Sequence, residues 1–221
     1  MVLTPNILDN YNENLTDLEE FVKNEFKIKN KNIFNLDMSI KYLGDLEFDS
    51  CIFKNVKFCS ANFEKSYFKN CIFEACDFSN TNLIETTFKQ CSFLNSKLLS
   101  SNFTKSYLEN VYINECMAKS IIFEDANLNS IDILSSDFKY SIITNCTLKY
   151  ITFDNTDFGF ANFSKTKLNG IDFTKSIINN LLLYTEDLKG SIMTKEQALS
   201  FINILRNTHK RGLMLPSFFF F

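Results

Sequence analysis

The chain has 221 residues, 45% hydrophobic and 22% charged, with a formal net charge of −3. It is long enough for one sizeable core or two small ones, and its apolar content excludes disordered and collagen-like classes. Near-neutral charge makes no electrostatic case for direct nucleic-acid binding, and 25 Phe with no Trp, five Gly and two Pro leaves too few turn-formers for a conventional sandwich, barrel or α/β domain.

Residues 1–30 are polar and acidic with no apolar h-region, so no secretory signal is expected. No apolar run approaches the ~18 residues that suggest a membrane span. Seven Cys, none in a CxxC pair, fit reduced thiols in a cytoplasmic protein better than a disulfide framework or a zinc site. Leu15, Leu18, Phe21 and Val22 predict a short amphipathic helix or turn over Leu15–Phe26. Every fifth residue then becomes apolar, weakly at first, at Ile28, Ile33, Met38 and Leu43. Residues 1–45 therefore read as an N-terminal cap with an imperfect first coil, because Lys31 and Lys41 stand where later repeats hold small residues.

From Phe48 to Met193 the five-residue spacing runs through thirty positions without an insertion, sixteen of them Phe and eight Leu. Two residues before each centre lies a position rich in Ala, Cys, Ser, Thr and Val, as in Cys51, Val56, Ala61 and Ser66. Six of the seven cysteines fall there, as small buried residues; Cys59 is the exception and is expected to be partly exposed. In an α-helix five residues advance about 500°, and in a straight strand an odd step alternates faces. Neither keeps every centre inside. The chain must turn by a fixed angle at each repeat and stack its coils at the strand spacing of about 4.8 Å, as a solenoid with near-neighbour contacts.

The units Ala61-Asn62-Phe63-Glu64-Lys65 and Ala161-Asn162-Phe163-Ser164-Lys165 resemble the pentapeptide-repeat family over residues 46–193. That resemblance implies an all-β solenoid: a right-handed quadrilateral β-helix with four repeats per coil and a vertical period of 20. Phe48, Phe68 and Phe88 would then form one ladder, continued by Leu108, Leu128, Leu148, Leu168 and Leu188.

At the C-terminal end the pattern breaks at Glu186. Thr194 followed by Gln197 reads as a capping box opening a short α-helix over 194–211. Ala198, Leu199, Phe201, Ile202 and Leu205 follow at helical spacing. The helix can cap the last coil, and resemblance to relatives that pair end to end implies a homodimer through Leu199, Phe201, Ile202 and Leu205. Residues 212–221, ending in four Phe, read as a tail that is too short to span a membrane.

No catalytic, metal or cofactor constellation is legible: the only His is His209, and no glycine-rich loop occurs. The expectation is a protein that is not an enzyme and needs no cofactor. Between Ser106 and Phe138 the acidic residues outnumber Lys119, the single basic one. At 20 residues per coil, Glu115, Asp132, Asp154 and Asp172 share one side, and Asp77, Asp137 and Asp157 share the next; Glu124 and Asp125 are an adjacent acidic pair in the repeats. These nine form a candidate acidic partner-binding surface on a rod near DNA width, able to present a phosphate-like field to a basic groove.

Three stretches resemble the chromosomal Qnr-type quinolone-resistance subgroup: Phe73-Glu74-Ala75-Cys76-Asp77-Phe78-Ser79-Asn80, Leu168-Asn169-Gly170-Ile171-Asp172-Phe173 and Thr194-Lys195-Glu196-Gln197-Ala198. The resemblance implies a non-catalytic binder of a type II topoisomerase, DNA gyrase or topoisomerase IV, acting as a DNA mimic. The alternative is a general interaction rod with an unrelated partner.

Overall fold

The computed structural model describes Pro5, Asn14–Leu15 and residues 26–201. The described strands are β1 (Asn14–Leu15), β2 (Lys27–Lys29), β3 (Asn32–Phe34), β4 (Glu47–Asp49), β5 (Ile52–Lys54), β6 (Tyr67–Lys69), β7 (Ile72–Glu74), β8 (Thr87–Leu94), β9 (Tyr107–Asn114), β10 (Asn127–Leu134) and β11 (Thr147–Asp154). All pair in parallel. From β2 onward the partner is the residue 20 positions on, as in Phe48 beside Phe68, Phe68 beside Phe88 and Phe88 beside Leu108. Four five-residue sides therefore make one coil. Two sides carry the strands; the other two are joined by single bridges at Asp37–Lys57–Asp77 and Tyr42–Asn62–Asn82 and their successors.

The sides turn at a residue with positive φ, recurring every fifth position from Asn30 to Gly170. An L-residue pays about 1–2 kcal/mol for this conformation, least for Asn, Asp and Gly. Asn serves at 30, 35, 55, 70, 80, 95, 110, 145, 155 and 180. The chain thus turns almost entirely without glycine, with Gly170 the one glycine in this run, which explains how so few Gly suffice.

Inside, all thirty centres are buried except Leu148, Leu183, Leu188 and Met193, which are partly buried against the core. Phenylalanines stack between coils and meet edge-to-face within a coil. The Phe68 ring centroid lies 4.9 Å from those of Phe48 and Phe88, nearly parallel to both, and 5.5 Å from those of Phe63 and Phe73, edge-to-face. The small positions have a second role. Thr81, Thr86 and Ser101 donate hydroxyl hydrogen bonds of 2.7, 2.8 and 2.8 Å to the carbonyls of Phe58, Phe63 and Phe78 in the coil below. Cys51, Cys71, Cys76, Cys91 and Cys116 make the same contact through sulfur at 3.4–3.6 Å. Cys, Ser and Thr are selected here because they are small and carry a donor.

Burial pushes the Cys76, Cys116 and Cys146 thiols up to about 12, and Cys71 upward as well. All seven cysteines are free, and only Cys59 is not buried. A maleimide at neutral pH is expected to label one thiol of the native chain, at Cys59, and all seven after denaturation. Mass spectrometry counts them, and rapid native labelling of two or more would contradict the ladder.

The first coil is complete: Ile28, Ile33, Met38 and Leu43 are all buried, in register with the coil above. The helix or turn expected from Leu15 is corrected at its start. Asn14–Leu15 is a strand paired with Asn32–Ile33, covering the open backbone edge of that coil. Leu18, Phe21 and Val22 lie outside the described residues.

At the other end a 3₁₀ turn, Thr185–Leu188, replaces the broken repeat. It carries Asp187 into the interior, where the carboxylate accepts from the Lys165 and Tyr184 amides at 2.9 and 3.1 Å. Helix α1, described over 195–201, opens with the expected capping box: the Thr194 amide donates to Gln197 and the Gln197 amide donates back to the Thr194 hydroxyl. The Gln197 side-chain amide also donates to the Phe173 and Ser176 carbonyls at 2.9 and 2.8 Å, tying the helix to the last coils. No described helix is long and apolar enough to cross a membrane.

Candidate functional site

With the interior filled by side chains, the outward columns are what the rod offers. Each column holds equivalent residues of successive coils, about 4.8 Å apart. The structure places the nine acidic candidates on three sides. Glu115, Asp132, Asp154 and Asp172 lie on the side of β3, β5 and β7, as the spacing of 20 requires. Asp77, Asp137 and Asp157 share the next column, which reads Asp37, Lys57, Asp77, Lys97, Met117, Asp137, Asp157, Ile177. Glu124 and Asp125 sit beyond Ile122 on the fourth side, both exposed.

They do not make one acidic stripe. Lysines interleave: Lys57 with Asp37 at 3.7 Å, Lys97 with Asp77 at 3.6 Å, Lys119 with Asp137 at 3.3 Å, Lys139 with Asp157 at 2.8 Å and Lys175 with Asp154 at 2.9 Å. Exposed pairs of this kind are each worth only about 0–1 kcal/mol. Their consequence is electrostatic: the field of this surface alternates in sign along the rod.

Several of these acids also hold the backbone. Asp77, Asp137, Asp157 and Asp172 accept from the amide two residues on, at 3.0, 3.2, 2.9 and 2.8 Å, and so cap the turn. On the fourth side Asn62, Asn82, Asn102 and Asn162 do the same at 2.8–3.0 Å. At Asp77 burial raises the carboxyl, but the Ser79 hydroxyl and amide and nearby Lys97 outweigh it and hold the group below its usual range. The Thr174 hydroxyl and amide do likewise for Asp172. Asp125 sits at a positive-φ corner and accepts from Asn145 at 2.6 Å.

Two of the four dimerisation candidates are described. Phe201 is buried in the chain's own core, whereas Leu199 is exposed. Two residues advance about 200° around a helix, so they face opposite ways. Ile202 and Leu205 lie outside the described residues.

An apolar ledge escaped the sequence reading. Where the third and fourth sides meet, the corner column reads Ile40, Ser60, Asn80, Ser100, Ser120, Tyr140, Phe160, Asn180, all at positive φ. Tyr140 and Phe160 are about half exposed and stack at 5.3 Å, 13° from parallel. On the adjoining fourth side Ile122, Ile142 and Leu182 occupy the column whose capping residue is Asn at 62, 82, 102 and 162; the column begins with Tyr42. Writing the chain in rows of 20 would have exposed both departures.

Family models describing a pentapeptide repeat region and eight copies of pentapeptide repeats match residues 46–123 and 141–180, together more than half of the chain. No curated protein matches it. Among solved structures, the chain is similar to HetL, a pentapeptide repeat protein involved in heterocyst differentiation regulation from the cyanobacterium Nostoc sp. strain PCC 7120. The identity is 14% and the TM-score 0.44, covering 76% of this chain and 90% of HetL. A trypsin-treated variant of QnrB1, a plasmid-mediated fluoroquinolone resistance protein, matches at 16% identity and TM-score 0.41, covering 86% of this chain and 99% of that one. Rfr23, a pentapeptide repeat protein from the cyanobacterium Cyanothece 51142, matches at 12% identity and TM-score 0.29, covering 79% and 96%. These likenesses concern architecture alone.

Proposed function

The chain belongs to the pentapeptide-repeat family, and from that premise we propose that it is a non-catalytic binding rod whose partner is a type II topoisomerase, DNA gyrase or topoisomerase IV. The filled interior carries the first half of this reading. With apolar side chains packed at every centre, recognition falls to outward columns held at fixed spacing by the backbone ladder. Such a surface is rigid before it binds, so little ordering entropy opposes association.

The choice of topoisomerase rests on the three Qnr-type stretches, which carry Asp77, Asp172 and the start of α1. In this reading the rod lies in the enzyme's DNA-binding groove. The side of Glu115, Asp132, Asp154 and Asp172 faces basic residues, and the Lys–Asp pairs of the next column set the register. A homodimer through α1, using exposed Leu199 with Ile202 and Leu205, would present two such rods. The second reading, a general rod with an unrelated partner, is favoured by the lysines interleaved among the acids, since a field of alternating sign imitates a phosphate backbone poorly.

Purified gyrase supercoiling, run with and without a quinolone, tests the proposal. Micromolar rod is expected to relieve drug inhibition or to inhibit supercoiling itself. No effect on either reaction would reject the topoisomerase, and a pull-down recovering one non-topoisomerase protein would favour the second reading.

A further inference from the structure

The ledge of Ile122, Tyr140, Ile142, Phe160 and Leu182 costs the fold something at each step. Tyr140 and Phe160 hold φ of 60° and 61° in a corner where five other coils use Ser or Asn and the first uses Ile40. Bulky side chains pay about 1–2 kcal/mol there. Ile122, Ile142 and Leu182 stand where Asn62, Asn82, Asn102 and Asn162 cap the turn with a side-chain oxygen, which an aliphatic residue cannot supply. The two departures fall in neighbouring coils and coincide at Tyr140 and Ile142, and the replacements leave Tyr140, Ile142, Phe160 and Leu182 exposed. A cluster that costs stability and faces outward is built to be covered.

We propose that the occupant is this chain's own C-terminal segment, with Phe218–Phe221 seated on the Tyr140–Phe160 stack. Length permits it. Twenty residues follow Phe201. Even as a random coil they reach about 25 Å, whereas the ledge spans four coils, three spacings of about 14 Å in all. The starting point is close, because Gln197 fastens α1 to the Phe173 and Ser176 carbonyls of the last coils. Composition matches in two parts. Arg206, Lys210 and Arg211 precede an apolar stretch from Leu213 to Phe221. The exposed pair Glu124 and Asp125 lies beside Ile122 at the ledge's lower edge. Basic residues beside that pair and aromatic residues on the stack satisfy both halves at once. This inference is independent of which partner the rod binds.

Photo-cross-linking of the full chain tests it. p-Benzoylphenylalanine is introduced in place of Phe219, and isotopically light and heavy chains are mixed before irradiation. The expected products join the tail to residues 140–160 within a single chain. Their yield falls at least about five-fold in Tyr140→Asn/Phe160→Asn, because both anchoring rings are gone. That double variant puts at both corners the residue used at Asn80 and Asn180, so its melting temperature is expected to be no lower than wild type. Products joining light to heavy chains, products elsewhere on the rod, or a yield unmoved in the folded double variant would each overturn the proposal.

Discussion

Replacing Phe68 by alanine is expected to cost about 3–5 kcal/mol, the range for emptying a packed aromatic site. Phe68 is fully buried, stacked between Phe48 and Phe88 and touched edge-on by Phe63 and Phe73. Ladder neighbours one coil away are held by backbone pairing and cannot collapse into the void, so the cavity term is retained in full. Phe68→Leu should cost much less, about 1–2 kcal/mol: the volume change is small, and the loss is chiefly the aromatic stacking. The same ladder accepts leucine three coils on, where Leu128 lies between Leu108 and Leu148. Denaturant unfolding followed by far-UV circular dichroism measures both variants. An alanine variant within about 1 kcal/mol of wild type would mean the coils do relax, against the rigidity assigned to them.

Asp187→Ala should have the second largest effect, and a localised one. The buried carboxylate oxygen Oδ2 accepts from two amides, those of Lys165 and Tyr184. Alanine leaves both part-buried amides without that acceptor, at up to about 1–3 kcal/mol each. Contacts in a solenoid are near-neighbour, so this loss stays in the last coils and α1. Amide hydrogen exchange should accelerate about 30-fold or more over residues 163–201, by the usual conversion of 2 kcal/mol, while coils before Leu108 remain unchanged. Asp187→Asn keeps a carbonyl oxygen that can accept both bonds and should stay near wild type. Uniform acceleration along the rod, or equal behaviour of the two variants, would contradict this account.

Both predictions depend on features that differ in how visible they are from the chain alone. Phe68 can be picked out as a core residue by counting in fives. Asp187 cannot. It follows Glu186, where the repeat breaks, and nothing in a linear pattern says that the next residue turns inward to bind two backbone amides. The corners were half visible: their positions followed from the period, but the positive φ at Asn70 or Asn110 follows only from the geometry of closing a four-sided coil. The acidic columns were assigned to correct sides, because a spacing of 20 places Asp157 above Asp137 however the coils are decorated. Their neutralisation was not foreseen. Lys119 reaches Asp137 across 18 residues, Lys97 reaches Asp77 across 20, and Lys175 reaches Asp154 across 21. The pair at 20 follows from the coil period; side-chain reach, which no fixed spacing encodes, decides the other two.

By itself the sequence determined the solenoid: its period, its inward residues, the role of its cysteines and the capping box at Thr194. It could do so because a coil that repeats every five residues writes its interior into the chain as a one-dimensional pattern. Only the tertiary structure decided which outward residues meet. It paired Asp77, Asp137, Asp154 and Asp157 with lysines, turned Phe201 inward and Leu199 outward, and brought Tyr140 onto Phe160 beside Ile142. Those contacts lie between coils, where the backbone sets the distance and side-chain length and direction set the partner.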